Sequence, residues 1–463
     1  MNTILLIVIP LLAAFIALVA KKGAPYLLLG AGLFNIVLLF FLDTGFTFIG
    51  GFDQAMTSDL LGIALYLDTY AKIALWLVNT LIVVIALLNF KAYKQYGSVL
   101  LLSMAGLNGL LLTNDLFNFF VFLEIASIAA YLITVSNRKF TDTFHYIVMG
   151  ILGGSLFLFG VTILYAMTGS LNMIVIASEL ETNGQYQDVI LPFIFIFIGL
   201  GVEVKLLPFN SWVKGVLASS NTFSGPMIAS VYAAAMSFAM GRLLTNLLVF
   251  EGALLTVVMT LLIIGVVAGD LMAFSTSKTR EILLFSSIAQ ASLIALLFVQ
   301  GIVIWAVYLI IVNALSKLVM FLVINKATHA IGSDEIKRMK GLFVNNKFVG
   351  LMFTLATLSI MGLPLFAGFV IKLNFLTSLA SLGQTMVLII ILGASLVESI
   401  YFVRLLVRLW YPGEETLDMK YSNPFKFVFA AVALILLVLG TYTTPLYELD
   451  DNIDQVSEEV IHG

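Results

Sequence analysis

The chain has 463 residues, 61% of them hydrophobic and 11% charged, whereas soluble domains carry roughly 25% charged residues. That composition excludes an ordinary soluble enzyme and predicts an all-α polytopic membrane protein in contact with the lipid bilayer. With no Cys and only His145, His329 and His462, no disulfide, iron–sulfur or other metal site is expected on this chain, and a net charge of −3 offers no basic surface to nucleic acid.

The first stretch, MNTILLIVIPLLAAFIALVA, has no basic leader and is followed by Lys21 and Lys22, which predicts a retained first span. Apolar stretches of crossing length recur at 25–42, 63–90, 97–113, 114–135, 144–167, 189–219, 224–247, 252–273, 280–299, 302–328, 347–380, 385–410 and 424–446, so about 14 transmembrane helices are expected. GAGLFN in span 2 has no strand before it and reads as a helix-packing glycine pair rather than a nucleotide loop. Asp68 and Lys72, at i,i+4 near the outer end of span 3, read as a local ion pair. Asp115, just ahead of span 5, reads as a helix cap.

Prolines interrupt span 7, at Pro208, and span 12, at Pro364. A proline frees a backbone carbonyl, which in lipid is tolerated only beside protein or water. Broken spans five apart predict two inverted five-helix repeats, spans 4–8 and 9–13. The expected divisions are 1–96 for the first three spans, 97–247 and 252–411 for the repeats, and 412–463 for the last span and an acidic tail.

Loop charges set the orientation. Lys21, Lys22, Lys91, Lys94, Arg138, Lys139, Lys214, Lys278, Arg280, Lys326, Lys337, Arg338, Lys340, Lys347, Arg408, Lys420 and Lys426 fall on one side, and Arg242 alone falls on the other. By the positive-inside rule the basic side is cytoplasmic, which places both termini outside the cell membrane. Asp53, Asp188 and the acidic 447–463 tail belong to the outer side, and the short tail is not expected to form a long lateral helix.

Ionisable groups inside spans cost about 2.5 to 3.5 kcal/mol each at the helix centre, so each needs a partner or a function. Glu124, Lys317 and Lys372 form the expected functional core, joined by Glu203, Lys205 and Glu398. Arg404, near the inner end of span 13, reads as a snorkelling side chain. Burial disfavours a charged ammonium and a nearby carboxylate restores it, so lysines paired with acids can switch protonation on a small movement. The bland alternative, static pairs that fix helix register, applies to the same residues.

NDLFNFFVFLE, HYIVMGILGGSLFLFGVTILYAMTGSLN, GVEVKLLPFNSW, TREILLFSSIAQ, NALSKLVMFL, and GLPLFAGFVIK with the preceding DEIKRMKGL resemble, in order, motifs of the proton-conducting antiporter-like membrane subunits. These subunits are shared by respiratory complex I, Mrp-type Na+/H+ antiporters and membrane-bound hydrogenases. The resemblance runs from about residue 50 to 411. It implies 14 helices in two inverted repeats, broken helices 7 and 12, and translocation of H+ and/or Na+ within a complex of integral membrane subunits. Any iron–sulfur, flavin or nickel–iron cofactor would then sit on partner subunits.

Carried over, the family's glutamate of span 5 falls on Glu124 and its span 12 lysine or glutamate on Lys372. The His-x-x-x-Lys pattern of span 11 becomes Asn313 to Lys317, and Gln290 stands at the histidine position of span 10, so two links are polar relay candidates only. Span 8, where relatives carry a lysine, offers only Ala233 or Ala234. In span 7 the family lysine lies five residues before the proline, which here is Glu203, while Lys205 lies three before it. Two functions are therefore expected to compete: an ion-translocating subunit, and a structural, lateral-coupling subunit whose relay has decayed.

Overall fold

A backbone in lipid must satisfy its own N–H and C=O groups, so long apolar runs become helices. The computed structural model describes residues 2–50, 62–90, 93–183, 189–413, 419 and 421–443. Its helices begin with α1 (Leu5–Val19), α2 (Ala24–Phe41), α3 (Thr69–Leu88), α4 (Tyr93–Leu112), α5 (Leu116–Thr134) and α6 (Phe140–Thr168). Next come α7 (Met173–Asn183), α8 (Ile190–Val204), α9 (Ser211–Ala218), α10 (Ser224–Pro226), α11 (Ala233–Asn246) and α12 (Gly252–Ser275). The chain continues through α13 (Thr279–Val299), α14 (Val303–Ile331), α15 (Lys347–Met361), α16 (Ala367–Ser381), α17 (Thr385–Trp410) and α18 (Asn423–Thr441).

Helix occupies every apolar stretch read from the sequence. Among the described residues, 10 helices are long and apolar enough to cross a membrane, while α1, α8, α15, α16 and residues 96–112 of α4 are apolar but shorter. The protein is a multi-pass, helical integral membrane protein. Asp53, Lys91, Asp188, Lys420 and the acidic segment 447–463 lie outside the described residues, as does the side chain of Lys94.

The chain forms two compact units, Met1–Ser219 with Val231–Val258, and Ser220–Ser230 with Met259–Gly463. In the first, α6 packs along α8 through Gly153, Gly160 and Gly199, small residues that let two backbones approach. Pro10 in α1 removes the N–H that would meet the Leu6 carbonyl. Asn35 of α2 and Asn108 of α4 donate to that carbonyl at 3.2 and 2.8 Å, and Asn79 of α3 joins the two amides. Four helices are thus tied at one buried proline break. In the second unit, α14 is buried along nearly its whole length among α13, α15 and α16.

Three features differ from the sequence expectation. Residues 63–67, read as the start of span 3, form β2 (Ile63–Leu67), antiparallel to β1 (Gly45–Ile49), with Gly45 opposite Leu67 and Ile49 opposite Ile63. Span 8 is interrupted by a π-helical turn over Met227–Tyr232 between α10 and α11. The Asp68–Lys72 pair is not made: Asp68 caps α3 through the Ala71 N–H at 2.7 Å and accepts Arg242 at 2.8 Å, while Lys72 donates to the Leu42 carbonyl.

The cause of that exchange is burial. Arg242 is 2% exposed, and an unpaired guanidinium there would be costlier than an unpaired Lys72 near the helix end. Asp68→Ala is expected to lower stability by about 3 kcal/mol, seen as a lower unfolding temperature. Adding Arg242→Leu should restore most of the loss; an unchanged unfolding temperature in the single variant would show that the pair contributes nothing.

Candidate functional site

In the first unit the site is built on the end of α8. The helix stops at Val204 because Lys205 takes the left-handed region at φ 73°, and the Leu206 N–H turns back to the Gly201 carbonyl at 2.9 Å. Pro208, after a cis Leu207–Pro208 bond, offers no donor. The Val202 carbonyl takes the Trp212 indole N–H at 3.0 Å from α9, so a side chain ties α9 to the interrupted turn.

Glu203 occupies the last turn of α8 and is 6% exposed. Its carboxylate accepts the Tyr146 hydroxyl at 3.2 Å and the Tyr131 hydroxyl at 3.4 Å. Tyr146 stacks on Trp212, ring centroids 3.9 Å apart, which couples the carboxylate to the helix break. Glu124, half-buried on α5, lies against Gly154 of α6, and Glu203 and the Tyr131 hydroxyl lie against Gly150 one turn away. A Cβ at Gly154 would occupy the place of the Glu124 carboxylate. The two acids therefore line one strip of α6. Lys205 is 2% exposed, and its Nζ has no hydrogen-bond partner among the described residues.

The second unit repeats the device with different residues. α15 stops at Met361, and Gly362 follows at φ 78°, where a Cβ would also meet Lys372 Cδ at 2.7 Å, so only glycine fits. After Pro364 the chain resumes as α16, which carries Lys372. Lys372 Nζ donates to Glu398 Oε2 at 2.6 Å and to the Met361 carbonyl at 3.1 Å, so one ammonium binds both an acid of α17 and the broken helix end. Glu398 Oε1 accepts from Gln290 of α13 at 2.8 Å. Lys317 of α14, fully buried, donates to Ser286 Oγ at 2.8 Å and the Leu283 carbonyl at 3.0 Å, and sits 5.6 Å from the Phe402 ring centre.

Of the residues singled out by sequence, Lys372, Glu398 and Gln290 are in contact, with Lys317 held one turn away on the same face of α13. Asn313 lies one turn before Lys317 but outside that hydrogen-bonded set; its Oδ1 and the Gln290 Oε1 are buried and have no donor among the described residues. Arg404 donates to the Phe274, Thr276 and Ala273 carbonyls at the end of α12, capping that helix terminus. Asp115 caps α5 through the Asn118 N–H at 2.7 Å, as its position predicts. Among the described residues no three His, Cys, Asp or Glu side chains are grouped to hold a metal ion.

Sequence alone did not single out Tyr131, Tyr146, Trp212 or Asp270. Aromatic residues are common in spans and carry no signal of contact. Asp270 lies three residues from the predicted inner end of span 9, beside a charged loop; the available signal was an acid inside the apolar run GVVAGDLMAF.

Residues 113–397, more than half of the chain, match the profile of the family described as NADH:quinone oxidoreductase/Mrp antiporter, TM. The chain belongs to this family. Its relatives include the NADH-quinone oxidoreductase subunit N of Desulfitobacterium hafniense, 26% identical over 409 residues, covering 81% of this chain and 82% of the relative. A Na(+)/H(+) antiporter subunit of Bacillus subtilis is 23% identical over 420 residues, 87% of this chain and 84% of that one. A chain of the membrane-bound sulfane sulfur reductase, an archaeal respiratory membrane complex, superposes with a TM-score of 0.89 at 27% identity over 99% of both chains. The matched region starts at the cap of α5 and holds Glu124, Glu203, Lys205, both helix breaks, Lys317 and Lys372.

Proposed function

We propose that this chain is an ion-translocating subunit, carrying H+ and/or Na+, of a multi-subunit membrane complex of the redox-driven or Mrp type. The observation that carries the reading is Lys372, whose ammonium joins Glu398 to the open carbonyl of a broken helix. Such an ammonium changes partners when the break moves, so ion binding and helix movement are linked. Each unit has a broken helix with buried ionisable groups at it, in keeping with two five-helix repeats over 97–247 and 252–411. Buried acceptors at Gln290 and Asn313 are groups that water ordinarily meets, as an ion path requires.

The chain itself performs no redox chemistry in this reading. Iron–sulfur, flavin or nickel–iron centres belong to partner subunits, and the neighbours are other integral membrane subunits, as for the relatives' complexes. Both termini face outward from the cell membrane. Labelling of Lys340→Cys by a membrane-impermeant maleimide is expected only after the cytoplasmic face is opened; labelling in intact cells would reverse the orientation. The absence of native cysteine makes this measurement free of background.

The competing reading, a lateral-coupling subunit, draws on Lys205, which has no acid partner among the described residues, and on the alanines at the span 8 position. Sealed vesicles bearing the complex distinguish the two. Lys317→Ala vesicles with a wild-type amount of complex are expected to lose ion uptake, because a titratable step is removed from a buried path. Undiminished uptake would favour lateral coupling.

A further inference from the structure

The second unit contains a buried carboxylate to which the family resemblance gives no role. Asp270 lies five residues from the end of α12 and is 4% exposed. It accepts the Tyr401 hydroxyl at 3.0 Å and makes no direct ion pair among the described residues. Its charged surroundings are Glu398 of α17, Lys372 of α16 and Lys317 of α14. A carboxylate placed only to neutralise an ammonium gains most by touching it; here Glu398 already touches Lys372, and a phenol stands at Asp270 instead.

Tyr401 is on the turn of α17 next to Glu398, and its hydroxyl also lies beside Ser286. Ser286 is the group that receives the Lys317 ammonium at 2.8 Å. The donors therefore point in one sense: Lys317 to Ser286, and Tyr401 to Asp270. Rotation of the Ser286 hydroxyl towards the neighbouring Tyr401 oxygen would complete the sequence without turning either terminal donor.

We infer that Asp270 is a further proton-binding station of this unit, loaded from Lys317 through Ser286 and Tyr401. The inference rests on the proposed ion-translocating function. In the step, an N–H bond of Lys317 breaks as its proton passes to Ser286 Oγ. The Ser286 hydroxyl proton passes to Tyr401, and the Tyr401 hydroxyl proton forms an O–H bond on Asp270. An ammonium and a carboxylate become an amine and a carboxylic acid, with one N–H lost, one O–H gained and net charge unchanged. Both charges are removed together from a buried site, which low polarity favours.

The test uses the whole complex in sealed proteoliposomes, with ion uptake followed by a pH-sensitive dye and assembly by the amount of complex recovered. Asp270→Asn keeps an acceptor for Tyr401 but cannot bind the proton, and is expected to lower uptake at least about tenfold with assembly unchanged. Asp270→Glu should recover part of it, and Tyr401→Phe should give an intermediate rate. Lys317→Ala is measured alongside. Wild-type uptake by Asp270→Asn with loss in Lys317→Ala would overturn the Asp270 inference and leave the proposed function standing. Equal loss in Asp270→Asn and Asp270→Glu would reveal a shape requirement and also overturn it. Wild-type uptake in both Asp270→Asn and Lys317→Ala would remove the proposed function itself.

Discussion

Lys372→Ala is expected to abolish ion movement through this chain and to lower stability by roughly 3 kcal/mol. The two losses have different origins and can be separated. Without the ammonium, Glu398 loses its contact at 2.6 Å and the Met361 carbonyl its donor at 3.1 Å, leaving a buried charge and an open helix end. Adding Glu398→Gln removes the charge while Gln290 can still donate to the new amide, so the double variant should regain most of the stability and none of the transport. Thermal unfolding of the purified complex and vesicle uptake read the two effects independently. A single variant as stable as the parent would show that Lys372 and Glu398 are not paired in the membrane.

Glu203→Gln is expected to change ion dependence more than Lys205→Ala does. Two residues of α-helix turn a side chain by about 200°, and the left-handed turn at Lys205 does not bring its ammonium into contact with Glu124 or Glu203. Glu203 instead meets the Tyr131 and Tyr146 hydroxyls and shares the Gly150–Gly154 strip with Glu124. We propose that these two carboxylates share a proton or hold a cation between them, as acids at close range do. Losing one charged ligand should raise the sodium concentration, or shift the external pH, needed for half-maximal turnover by about tenfold. A larger shift in Lys205→Ala would reassign the role to the lysine.

The helix breaks and most of the charged residues at them were legible in the sequence because the background is so apolar. Against 61% hydrophobic residues, Glu124, Lys317 and Lys372 stand out, and prolines in long apolar runs mark interrupted helices without further information. Contact partners were not legible. Local spacing suggested Lys72 for Asp68, yet the partner is Arg242, 174 positions away, because spacing says nothing of which remote charge is buried nearby. The left-handed residue after α8 is a lysine rather than a glycine, so no turn signal marked it. At Gly362 the same conformation had its glycine. Asp270 was hidden by its closeness to a charged loop, and its meaning depends on Tyr401, one tyrosine among 16.

The central claim, that this chain moves ions rather than only linking its neighbours, is tested most directly by ions transported per catalytic turnover of the purified, reconstituted complex. The comparison is between the parent and the variant carrying both Lys317→Ala and Lys372→Ala. The account predicts that the double variant assembles and turns over with fewer ions moved per turnover. An unchanged ratio, at equal occupancy of the chain in the complex, would contradict it.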